Sequence, residues 1–240
     1  MYICSLKQSV MEENINKRNS QIRVSRMDRV LERFGIKTHK VMLMDAFVGA
    51  DFPVKAVKRM MFGVGFMSDV VLMLKESVHL DNHKGNDLLM KRYMDAVNNF
   101  HKHSDKGNYI RAGVCLHTIG DFYALTNYID LYSQYAMEHG LSLALMDLHT
   151  FAEMKDNPDF MAFATSKGEL RAGTYGLISD LIEKIFKTKP KPGSHTVMNL
   201  DSNKSINGGK PFAPGANYTK HEAAVRGAYE DCRDLLQRIM

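Results

Sequence analysis

The sequence predicts an all-α fold, and three observations carry that prediction. Apolar residues recur at helical spacing over most of residues 36–187. No run alternates apolar and polar residues as a half-buried strand does, and neither a hairpin signal nor an internal repeat is present. The periodic segments also end on helix stops such as His139-Gly140. With 240 residues, 45% of them hydrophobic, the chain can bury a sizeable core as one domain.

Residues 1–35 read as a polar N-terminal extension. Their end, RVSRMDRVLERFG, predicts a short helix stopped by Gly35. Residues 36–187 are the helical core. Up to residue 100 the periodicity is interrupted by DFP at 51–53, GVG at 63–65 and LDNHKGN at 80–86. Residues 107–139 predict one long amphipathic helix closed by His139-Gly140, since glycine adopts the left-handed turn that ends a helix. Two more helical stretches follow, near 147–165 and 174–187. Composition then changes over 188–220, which holds four of the six prolines and several glycines and predicts a long loop. Residues 221–240 close the same domain with a helix.

Bulk properties exclude several classes. No window approaches 18 uninterrupted apolar residues, so no transmembrane segment is expected. The N-terminus lacks an apolar run followed by small residues, so no signal peptide is expected. That implies a protein cytoplasmic as produced, or exported by a route that needs no such peptide. Three scattered cysteines do not make a disulfide framework, and Cys115 reads as a small buried hydrophobe. The formal charge of +5 weakly favours acidic partners: phosphate esters, lipid headgroups or nucleic acid. Seventeen methionines without a tryptophan read first as flexible core filler and second as a Met-lined surface for lipid or a partner.

Chemistry concentrates in CLHTIGDFYALTNYIDLY, residues 115–132. His117 and Asp121 are four residues apart, so one helix face presents both to one metal ion or to each other. Alone, the pair reads as a hydrogen bond inside a core. Other donors change that reading. His39 starts a helix, Asp69 stands ten residues before His79, and Asp81 and His83 follow in the next turn. His39, Asp69, His79, His117 and Asp121 are nitrogen and oxygen donors of the kind zinc accepts.

The order T-H, S-D, H-x-D-N-x-x-G and L-H-x-x-x-D-F-Y-A-x-x-N-Y resembles the zinc-dependent phospholipase C and P1-type nuclease superfamily. It is most similar to the fungal heterokaryon-incompatibility C proteins and to C-terminal domains of bacterial RHS-type polymorphic toxins. LRAGTYG, KPGSHTVMNLD and KHEAA extend the resemblance, which covers residues 37–235. H-x-x-x-D-F-Y-A is its most specific piece. The resemblance implies one helical domain holding two or three zinc ions that activate water against phosphodiesters. It implies metal ligands at His39, Asp69, His79, His117 and Asp121, with Asp121 bridging two metals and Asp69 also serving as catalytic base. For a remaining position it offers His195 in GSHTVMNLD, and more weakly His149 with Glu153 in LHTFAEM. His221 reads better as a helix-start residue than as a ligand.

Two departures stand out. The group places histidine where this chain has Leu125, and the bacterial phospholipases place it at the position of Asn127. The phospholipases also use a free N-terminus as a ligand, which a long extension before His39 does not supply. The resemblance therefore implies a phospholipase C-like hydrolase, weakened or inactive at one lost ligand position. Its substrate would be a phosphodiester, a phospholipid headgroup rather than nucleic acid, with peripheral membrane contact. A toxin or effector domain would also have a cognate immunity protein as partner. The alternatives are a catalytically degenerate binding domain and a P1-like nuclease. The nuclease needs an aromatic base-stacking pocket in basic surroundings, whereas the aromatic residues here have core-like helical spacing.

Overall fold

The chain folds around one helix that is apolar on nearly every side. In a computed structural model, which describes residues 44, 46–47, 52–72, 75–174, 190–191 and 193–239, the α-helices are α1 (Val54–Phe62), α2 (Glu76–His79), α3 (Asn86–Asp105), α4 (Tyr109–Leu125), α5 (Tyr128–Glu138), α6 (Phe151–Met154), α7 (Pro158–Ser166), α8 (His195–Met198) and α9 (Lys220–Gln237). His39, the short helix expected before Gly35 and nearly all of the helix expected over 174–187 lie outside the described residues. The protein is mostly helical, and no strand or sheet occurs among the described residues. In α4 every residue from Ala112 to Leu125 is buried except Val114. A helix hydrophobic all round belongs at the centre. Accordingly α1, α2, α3 and α9 pack against it.

Sequence and structure part at three places. The GVG at 63–65 does not interrupt the helix. Instead α1 runs on as a π-helix, Gly63–Val71, with the Ser68 hydroxyl donating to the Gly63 carbonyl five residues back. The glycine is there for packing. A Cβ at Gly63 would stand 2.1 Å from the Ile110 carbonyl oxygen, and one at Gly113 would stand 2.1 Å from that of Met60. Two helix backbones touch at this crossing, and only residues without Cβ allow it.

The single helix expected over 107–139 is two, α4 and α5. Thr126 is extended, its hydroxyl donating to the Phe122 carbonyl and accepting from the Tyr128 amide. Asn127 turns outward to residues 169–171. Its amide N–H donates to Arg171 O, its Oδ1 accepts the Arg171 N–H, and its Nδ2 donates to Glu169 O. The helix expected over 147–165 is likewise divided. Asn157 caps α7 through its Oδ1, and Pro158 at the first position lacks the N–H that would continue α6.

Residues 170–174 form an extended strap that joins three distant segments through backbone hydrogen bonds. The strap binds the 82–85 turn (Gly85 N to Leu170 O, Ala172 N to His83 O, Asn82 N to Gly173 O) and the end of α4 (Gly173 N to Leu125 O). It also binds the start of α8 (His195 N to Thr174 O). The 188–220 region packs where it is described: Leu200, Phe212, Ala213 and Tyr218 belong to the core, and Leu200 N donates to Ala124 O. Tyr93 and Tyr123 both donate to the buried Asp231 of α9. Burial raises that carboxyl's pKa, and the hydrogen bonds it accepts offset the rise in part. Cys115 is buried, its thiol pushed up to about 12 by burial, as a small core residue should be.

Candidate metal centre

Because α4 is central, a polar group on it must find its partners inside the protein. His117 and Asp121 find each other, with Nε2 to Oδ2 at 3.0 Å and side chains only 1% and 4% exposed. The third member comes from α2. His79 Nδ1 lies 2.9 Å from the same Asp121 oxygen and 3.2 Å from His117 Nε2, the two rings meeting edge to face. Residues 38 and 42 positions apart thus converge on one point. Of the described residues, these three are the group whose ligand atoms all lie within 4.8 Å of one another.

The edges of this triangle suit a metal. Bonds of roughly 2.0–2.1 Å in tetrahedral geometry put zinc ligands about 3.3 Å apart. The protonation pattern leaves room for a cation as well as for a hydrogen bond. His79 Nε2 lies 3.2 Å from the Ser68 carbonyl oxygen, which can only accept, so that nitrogen carries a hydrogen. In the neutral ring Nδ1 then aims a lone pair at a carboxylate oxygen 2.9 Å away. A hydrogen on one of the two atoms, or a metal ion among the three, must therefore lie between them. Burial pulls the His79 pKa down, but the hydrogen bond and charge of Asp121 outweigh it and the net shift is upward. A backbone carbonyl on the far nitrogen is also what orients a ligating imidazole.

Asp69, on the π-helix, stands at the rim with Oδ1 3.7 Å from His117 Nε2, outside the mutual reach of the three donors. The π-helical pitch brings it there, a local irregularity frequent at functional sites.

A second pair lies beside the first. Leu80, in the left-handed conformation with φ 56°, ends α2, so His79 faces α4 while Asp81 turns toward α8. Asp81 Oδ1 lies 2.8 Å from His195 Nδ1. Burial lowers the His195 pKa, yet the hydrogen bond and charge of Asp81, with Asp201 and Asp121 adding, make the net shift upward. Asp121 therefore acts electrostatically on both imidazoles, and Asp81 acts on His79 as well. Gly173 makes the pairing possible: a Cβ there would stand 2.7 Å from His195 Cα.

The remaining residues singled out in the sequence fall elsewhere. His149 and Glu153 are 51% and 58% exposed and contact each other at 3.2 Å. Glu153 closes a capping box with Thr150 at the start of α6, so HTFAE is a helix start, T-x-x-E, in addition to being an H-x-x-x-E spacing. Both His83 nitrogens are engaged, Nδ1 donating to the Asp81 carbonyl and Nε2 accepting from Arg92. His221, in the first turn of α9, is buried and donates from Nδ1 to Leu200 O at 2.6 Å. Burial lowers its pKa, and the bond to Leu200 resists the fall. Leu125 is the last residue of α4 and is buried. Asp81, which the sequence showed beside His79 in H-x-D-N-x-x-G but to which no ligand role was given, is the residue the structure adds, through its contact with His195.

No protein-family model, curated protein or solved structure matches the chain.

Proposed function

We propose that the protein is a zinc-dependent phosphodiester hydrolase resembling phospholipase C, weakened where Leu125 occupies a position that imidazole would fill. The observation that carries the reading is the triangle of His79 Nδ1, His117 Nε2 and Asp121 Oδ2 at 2.9–3.2 Å, the last two on the buried central helix. Such a set fits zinc in donor type, spacing and orientation. When bound, the metal supplies a Lewis acid and a water of lowered pKa. His79 and His117 would hold such an ion through Nδ1 and Nε2, and Asp121 through the oxygen that lies near both. Asp69, half-buried at the rim, is placed to accept a proton from a water held there and to orient it. The Asp81–His195 pair supports a second cation or polarises the phosphate, within the electrostatic reach of Asp121.

Phospholipid is favoured over nucleic acid because the largest aromatic residues, among them Tyr93, Tyr123, Phe122 and Phe151, are fully buried core, so these rings are not free to stack on bases. The test is metal analysis of the purified chain together with cleavage of a chromogenic phosphodiester, His117→Ala serving as blank. One or more zinc per chain, absent from the variant, with slow metal-dependent cleavage, is expected. No zinc in either protein overturns the reading and leaves a helical binding domain.

A further inference from the structure

We propose that the outward face of α1 and the following π-helix is a docking surface for an anionic phospholipid bilayer. Four large apolar residues there face solvent instead of the core: Val54 (69% exposed), Phe62 (43%), Phe66 (46%) and Val71 (54%). Their spacing of eight, four and five residues keeps them on one side as the pitch widens from α-helical to π-helical. The opposite side carries the buried Ala56, Met60, Val64 and Ser68. Phe62 and Phe66 stack with centroids 5.2 Å apart, forming a contiguous ridge. Lone exposed apolar residues are ordinary on proteins; a row of four on one helix face marks an interaction site.

Charge decides the occupant. Lys55, Lys58 and Arg59 are exposed on the same side of α1, and no acidic residue occurs from Val54 to Ser68. An apolar ridge flanked by cations is the pattern of a helix that lies in a membrane interface, its hydrocarbon entering the acyl boundary and its cations meeting anionic headgroups. Nucleic acid would use the cations and could stack on Phe62 or Phe66, but it has no use for Val54 and Val71, which have no π-face. No helix among the described residues is long and apolar enough to cross a membrane, so this contact is with the surface.

The π-helix that carries Phe66 and Val71 also carries Asp69, 3.7 Å from His117. The ridge and the candidate centre therefore share one helix, on its outward and inward sides. The proposal rests on the phospholipid-hydrolase reading for its purpose, while the binding itself is separable from it.

The chain has no tryptophan, so Phe66→Trp installs a single fluorescent reporter on the ridge. With vesicles of phosphatidylcholine plus a minority of phosphatidylserine, its emission should shift to the blue and be quenched by brominated acyl chains. Pure phosphatidylcholine should give roughly tenfold weaker partitioning. In sedimentation with the same vesicles, the full chain should bind, whereas Phe62→Ser/Phe66→Ser and Lys58→Glu/Arg59→Glu should each lose binding at least about tenfold. Circular dichroism should show both variants folded, since all four positions are exposed. His117→Ala should bind vesicles like the parent, so that failure of the metal reading and failure of this one are told apart. Emission from the Phe66→Trp variant that vesicles leave unshifted, or vesicle binding unaffected by both double variants, overturns the proposal. So does self-association without vesicles that the phenylalanine variant abolishes. Equal binding to single-stranded DNA, lost only in the charge variant, overturns it in favour of a polyanion site.

Discussion

His117–Asp121 and His149–Glu153 have the same spacing, and the fold treats them in opposite ways. Each is an imidazole and a carboxylate one helical turn apart, in contact at 3.0 and 3.2 Å. The first lies inside the central helix with its side chains at most 4% exposed, where His79 arrives from α2 to complete a triangle. The second lies in the open at the start of a four-residue helix, and its carboxylate is spent on capping. Spacing of i, i+4 brings two donors to one face. What makes a centre is a third donor from elsewhere in the chain and the burial that keeps water from competing.

That contrast can be broken most severely at His117. Replacing it by alanine should weaken zinc binding by at least about 100-fold, since even changes to groups that only orient a ligand cost up to that much. His149→Ala should leave affinity unchanged by isothermal titration; loss in both would erase the distinction between the two pairs. A chelator should lower the melting temperature of the parent and not of His117→Ala, because an ion that binds only the folded state stabilises it.

Next in size is Gly173→Ala. Its new methyl meets His195 Cα at 2.7 Å, so α8 must move. Overpacking of this kind costs about 1–3 kcal/mol, read by denaturant melts. Vesicle binding through the α1 ridge should be unaffected, and a melt identical to the parent's would show that the close approach is not maintained in solution.

Leu125→His should act in the opposite direction. One turn beyond Asp121 at the end of α4, an added imidazole should raise zinc affinity by about tenfold and speed phosphodiester cleavage, given how strongly ligation responds to each nearby group. If metal content and rate both stay at the parent's level, position 125 is ordinary core. The smallest effect is expected at Glu153. Its alanine variant loses half of a capping box, about 0.5–1 kcal/mol by thermal melt, with zinc affinity unchanged.

Local rules reached the all-α class, the α5 stop at His139-Gly140, where Gly140 has φ 63°, and the last helix, whose Thr219 and Glu222 form a capping box. The His117–Asp121 face was legible for the same reason: helical geometry fixes it within a single turn. What lay hidden depends on distant chain. At Thr126 the break is compensated partly by its own hydroxyl, which bonds Phe122 and Tyr128, but Asn127 finds its partners at Glu169 and Arg171, far along the chain. Gly63 looks like an interruption until Ile110 and Gly113 are placed beside it. Asp81 was visible as an H-x-D neighbour of His79, but its partner His195 lies 114 residues away. His149–Glu153 shows the converse, a local pattern that two local rules claim, where the surrounding fold gave the carboxylate to the cap.

The 170–174 strap bears on the order in which the chain is made. Emerging from a ribosome, residues 79, 117 and 121 appear early, yet the turn after His79 and the end of α4 have backbone groups whose partners lie at 170–173. Until that strap emerges, those groups can bond only to water, and the two histidine-bearing segments are joined to each other by side chains alone. His195 follows last, its amide received by Thr174. A nascent chain therefore carries these side chains long before the backbone bonds that fix them in place can form.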